Sequence, residues 1–132
     1  MNTAIFDLVP SGDVVVERCA PGAVLFSEGE TPRGIHLLYS GQVDLIFRAR
    51  NGNVKPLRVA GSGQVLGVSE VVSGIKHDCT AIVRASCRVG FISGEAFRRA
   101  LDQHPPLWFS VLSVLSRDVG AVYDDMRELA VG

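Results

Sequence analysis

The chain has 132 residues, 47% hydrophobic and 20% charged, which is enough apolar material for one core and one domain spanning 1–132. Thirteen scattered Lys and Arg against 14 Asp and Glu leave a net charge of −1, so no electrostatic footprint for a nucleic-acid backbone is visible. The N-terminus lacks a basic stretch followed by an apolar run, and no window reaches the length of a spanning helix; no membrane is expected, and the cytoplasm is the expected location.

Between Asp13 and Ile92, short apolar stretches alternate with turn signals such as Pro21-Gly22, Ser40-Gly41, Asn51-Gly52, Gly61-Ser62-Gly63 and Ser73-Gly74. That rhythm predicts an antiparallel β-sandwich or barrel over about 13–92. Val43, Leu45 and Phe47 alternate with Asp44, Ile46 and Arg48, a period of two that puts one face on a core. Asn51-Gly52 is expected to supply the positive φ angles of a tight hairpin joining residues around 42–50 to 53–60. Cys19, Cys79 and Cys87 are odd in number and lack CxxC spacing, which predicts reduced, mostly buried thiols.

After Ile92 the period changes. Ser93 can cap a short helix whose Phe97 and Leu101 lie one turn apart, and Pro105-Pro106 ends it. A second helix then starts near Pro106, giving C-terminal helices over about 93–130. Along it Trp108, Leu112, Leu115, Val119, Val122, Met126 and Leu129 are spaced as a coiled-coil seam, which predicts a homodimer through this helix. A second stripe, Leu107, Val111 and Val114, ends at Asp118, so the first half of the helix has a further face to pack on the β domain.

The stretch Pro21-Gly22-Ala23-Val24-Leu25-Phe26-Ser27-Glu28-Gly29-Glu30, then Gly34-Ile35-His36-Leu37-Leu38-Tyr39-Ser40-Gly41-Gln42-Val43-Asp44-Leu45, resembles the sensor domain of Crp/Fnr-type transcription regulators. So do Gly63-Gln64-Val65-Leu66-Gly67 and Thr80-Ala81-Ile82-Val83-Arg84-Ala85, and the resemblance covers nearly the whole chain. It implies a mainly β fold with α-helices: a jelly-roll-like β-roll, or double-stranded β-helix, flanked by helices and followed by a long dimerisation helix. It also implies a cyclic-nucleotide or other small effector, and DNA binding only through a winged helix-turn-helix that these residues do not include.

In such proteins a short cassette helix opened by Gly-Glu and a downstream Arg followed by Ser or Thr hold the cyclic phosphate and ribose. By that resemblance the effector pocket is expected at Gly67, Val68, Ser69, Glu70, Cys79 and Thr80. Gly67 matches the cassette glycine, while Glu70 lies three residues beyond it rather than next to it. Cys79 stands where the arginine belongs, and a thiol cannot replace a two-pronged guanidinium. Lys76, His77 and Arg84 are candidate substitute charges. Three pocket readings stay open: an ordinary cyclic nucleotide, another small anion or apolar effector, or no ligand.

Rival classes find less support. A metal-dependent cupin-like enzyme needs clustered histidines, but His36, His77 and His104 stand far apart and read as surface or strand-end residues. No metal site is expected. His77-Asp78-Cys79 could hold haem or sense thiols, yet it reads first as a turn entering a strand. No catalytic constellation is present and Gly61-Ser62-Gly63-Gln64 lacks the lysine of a phosphate loop, so the chain is read as no enzyme. A stand-alone small-ligand-binding domain without DNA regulation is the remaining alternative.

Overall fold

Two long antiparallel strands, β3 (Gly34–Arg48) and β6 (Thr80–Ser93), organise a six-stranded sheet in the computed structural model, which describes residues 9–112. The shorter strands are β1 (Val15–Cys19), β2 (Val24–Phe26), β4 (Val54–Gly61) and β5 (Val65–Leu66). One half of β6 pairs with β2 and the other with β1; β3 pairs with β5 near its start and with β4 near its end. All these pairings are antiparallel, so the fold is mainly antiparallel β with a few helices.

The β3 and β6 register shifts three times between Leu38 and Val43. Bulges of this kind bend strands and reverse which parity faces inward. Thus Leu38 before the shifts and Val43 and Leu45 after them reach one core, together with Ala81, Val83 and Val89 of β6. Gly41 sits at the bend with φ +93°, where a Cβ would collide with the Ser86 carbonyl.

The opposite parity forms a second core. Ile35, Leu37, Val65 and Ile92 face away from the first and pack under the helices. Cassette helix α1 (Val68–Ser73) and helix α2 (Gly94–Gln103) contribute Val68, Val71, Phe97 and Leu101 to it. Ser93 caps α2, its Oγ accepting from the Ala96 N–H at 3.1 Å. His104 ends α2, and residues 106–112 are again helical.

The hairpin forms as expected, with Gln42 opposite Gly61 and Arg48 opposite Val54. Its turn differs from the expected one. Only Gly52 has a positive φ, and Asn51 instead uses Oδ1 to accept from the Asn53 N–H at 3.0 Å. The loop closes through the Ala49 N–H to Asn53 carbonyl bond, so it is longer than a two-residue turn. The strand pairing also slips near Pro56, which has no N–H to give.

At the C-terminal end Leu107 and Val111 are fully buried, while Trp108 is 41% and Leu112 57% exposed. The two apolar faces therefore diverge, one onto the roll and one outward. The remaining seam residues, Leu115, Val119, Val122, Met126 and Leu129, lie outside the described residues. Among those described, no helix is long and apolar enough to cross a membrane.

Candidate functional site

Gly67 opens the cassette helix in a left-handed conformation, φ 92°, and a Cβ there would press to 3.1 Å from the Gly34 carbonyl. Val68, directly after it, is fully buried in the helix-facing core, as is Val71. Ser69 and Glu70 are half-buried. Gly74 closes the helix with φ 70° and donates its N–H to the Glu70 carbonyl at 2.8 Å. The cassette is pinned from α2 as well: Arg98 Nη2 donates to the Val71 carbonyl at 2.8 Å.

Across from it, Cys79 and Thr80 part company. Cys79 is 6% exposed and packs in the inner core with Ala81, Val83, Leu66 and Ala60. Burial first, then the Asp78 and Glu70 charges, push its thiol up to about 12, so it stays protonated and supplies no charge. Thr80 Oγ1 accepts from the Glu28 N–H at 2.9 Å, and Glu28 Oε1 accepts from the Arg48 N–H at 2.9 Å. The hydroxyl thus ties the loop after β2 to β6.

None of the three candidate substitute charges fills the gap at Cys79. Lys76 is exposed in the loop after the cassette. Arg84 is exposed and lies 3.8 Å from Asp44, on the parity opposite to buried Ala81 and Val83. His77, expected at the surface or a strand end, is 3% exposed and stacks on Phe26 with ring centroids 4.0 Å apart. A cation the sequence reading missed is Arg58 of β4, whose field lowers the Cys79 pKa against the larger upward effects.

An open cavity of about 680 Å³ lies between β1, β2 and the inward faces of β3 and β6. Its wall includes Glu17, Phe26, Glu30, His36, His77 and Phe91, and none of the six cassette-region candidates lines it. The rings form a chain: His77 on Phe26, Phe26 at 5.9 Å from His36, and His36 at 5.0 Å from Phe91. Nδ1 of His36, Nδ1 of His77 and Oε2 of Glu70 are buried without a hydrogen-bond partner among the described residues. Burial, then the His77 and Arg33 charges, lower His36 to about 4. Burial also lowers His77, against opposing pulls from Glu70, Glu30 and Asp78.

This cluster was partly legible. His36 is two residues from inward-facing Leu38, so strand alternation alone points it inward. His77 had no such signal, because it lies in a loop.

All three cysteines are free, with Cys79 and Cys87 buried and Cys19 half-buried. No group of three or more His, Cys, Asp or Glu able to hold a metal occurs among the described residues.

A family model for the cyclic nucleotide-binding domain matches residues 16–104. Lysophospholipase NTE1 of Kluyveromyces lactis is 28% identical over 107 residues, covering 71% of this chain and 7% of that protein. Among solved structures, the Catabolite Activator Protein of Thermus thermophilus superposes with a TM-score of 0.82 at 16% identity, over 96% of this chain and 59% of that one. The c-di-GMP responsive global regulator CLP of Xanthomonas campestris gives 0.78 at 18% identity, over 98% of this chain and 63% of that one. At such identities the structural likeness establishes the fold, and the chain spans less than two thirds of each of these proteins.

Proposed function

The chain belongs to the cyclic nucleotide-binding domain family, and from that premise we propose that it is the sensory and dimerisation module of a Crp/Fnr-type regulator, with a pocket that has left cyclic-nucleotide chemistry. The division is a β-roll over about 13–92 and C-terminal helices over about 93–130. The helices pair two copies in the cytoplasm, and DNA is read by a segment outside these 132 residues. The role is binding and coupling rather than catalysis; the lysophospholipase match, limited to 7% of that protein, does not carry its activity here.

The observation that carries the diverged pocket is Cys79. At the position of the phosphate-pairing arginine stands a protonated thiol under the influence of two carboxylates, Asp78 and Glu70, which outweigh the opposing field of Arg58. A cyclic phosphate placed there would lose a charge-assisted bond of about 1.5–3 kcal/mol and meet like charge. Val68 after the cassette glycine is buried, so no carboxylate adjoins Gly67 to take a ribose hydroxyl.

Calorimetric titration with cyclic AMP and cyclic GMP tests this. Little or no heat at micromolar concentrations is expected, and micromolar affinity for either overturns it. A second reading, a small-ligand-binding domain without DNA regulation, is supported by the match of this chain to a part of Lysophospholipase NTE1.

A further inference from the structure

We propose that the cavity between β1 and β2 binds a small aromatic molecule, neutral or cationic and without a phosphate, seated against the rings of Phe26, His36 and His77. The proposal rests on the reading of the chain as an effector-sensing domain and names the class of effector. At about 680 Å³ the cavity falls within the size range of small-molecule sites, roughly 300–1,000 Å³. Its inner wall is a run of four aromatic or imidazole rings, which favours a flat, unsaturated ligand by stacking and edge contacts.

Polarity sets the rest of the ligand. His77 is 3% exposed, yet its Nδ1 has no hydrogen-bond partner among the described residues, and the same holds for Nδ1 of His36. Both nitrogens are closed to solvent as the rings stand, so a ligand N–H or O–H, or an acceptor for the other tautomer, pairs with one only when the ring turns toward the cavity. Both imidazoles are held neutral near pH 7, so neither supplies positive charge for an anion. Glu17 and Glu30 add negative charge at the wall, and Arg33, the one arginine lining the cavity among the described residues, lies 3.2 Å from Glu30. Among the described residues a phosphate therefore finds two carboxylates and no unpaired cation in this wall, whereas an uncharged heterocycle meets no repulsion and an amine meets the carboxylates.

The site is joined to the loop after β2: the His77 N–H donates to the Glu30 carbonyl at 3.0 Å and the Gly29 N–H donates to the His77 carbonyl at 2.7 Å.

The probe is N-phenyl-1-naphthylamine, a neutral aromatic amine whose emission rises in apolar surroundings. The expected result is a saturable rise at one equivalent per chain with micromolar affinity. Val24→Trp and Val15→Trp, at exposed positions lining the cavity, each weaken it tenfold or more, while Phe109→Asp on the exposed helix face leaves it unchanged. On the unaltered chain, nitrogen-15 spectra show the His36 and His77 ring signals shifting and those of His104 fixed. The proposal is overturned by the absence of saturable binding, by a rise that both tryptophan variants leave intact, by unmoved His36 and His77 signals, or by displacement of the probe with cyclic AMP. Cyclic AMP binding in calorimetry without displacement overturns only the diverged-pocket reading.

Discussion

Cys19 in β1 lies directly opposite Cys87 in β6, so two free thiols face one another across adjacent antiparallel strands. Such partners have Cα atoms roughly 4.5–5.5 Å apart, inside the roughly 4.4–6.8 Å a disulfide accepts. Diamide, taking two electrons and two protons from the thiols, is expected to join Cys19 and Cys87 within one chain. Peptide mapping by mass spectrometry should find that cross-link with Cys79 unmodified. A cross-link involving Cys79 would contradict its burial.

Cys79→Arg would place a guanidinium in the inner core, where Cys79 packs with Leu66, Ala81 and Val83. Burying a charge with incomplete pairing costs several kcal/mol, so a marked fall in melting temperature is expected. Cyclic AMP affinity should not return, because Val68 still follows Gly67. Restored micromolar binding in calorimetry would mean that the missing charge was the sole defect.

Stability should fall on acidification. His36 is lowered to about 4 in the folded chain, below the value of about 6.5 for a free imidazole. Below pH 6.5 the unfolded chain binds a proton that the folded chain refuses. The loss therefore begins near pH 6.5, levels off near pH 4, and is absent above 6.5; its full depth is roughly 3 kcal/mol. His77, lowered as well, adds in the same direction. Urea melts of wild type and His36→Phe across this range check it, the variant showing the shallower dependence.

Arg98→Ala removes the donor to the Val71 carbonyl. A hydrogen bond from a charged group contributes about 1.5–3 kcal/mol, and partial exposure of Arg98 places the loss near the lower figure. Hydrogen exchange should quicken across 68–75 while the 42–61 hairpin keeps its protection. Equal loss in both would point to general destabilisation instead.

The outward face carrying Trp108 and Leu112 continues in sequence through Leu115 and Val122. Replacing Leu115 and Val122 with Asp should yield monomers in sedimentation equilibrium. An unchanged mass would assign that face to contacts within one chain.

Alternation made the strands readable, since Val43 and Leu45, two apart in β3, are both buried between less buried neighbours. Ser93 was readable as a cap, and so was the split between Leu107 and Trp108. The burial of His77 was not, because it depends on Phe26, which approaches only when β2 pairs with β6. The field of Arg58 at Cys79 was hidden for the same reason: β4 and the start of β6 are each paired to the end of β3, and separation along the chain gives no hint of it. Asn51 misled because Asn tolerates either sign of φ, and the longer loop let it hydrogen-bond locally instead.

The bond from Arg98 to residue 71 ends on a backbone carbonyl, which every residue type possesses. The latch between cassette and α2 is thus specified from one side only. Among related chains, position 71 is free to drift between apolar side chains of similar volume without unfastening it. A change at position 98 has no compensating change available at 71, so the two positions should not covary even though they touch.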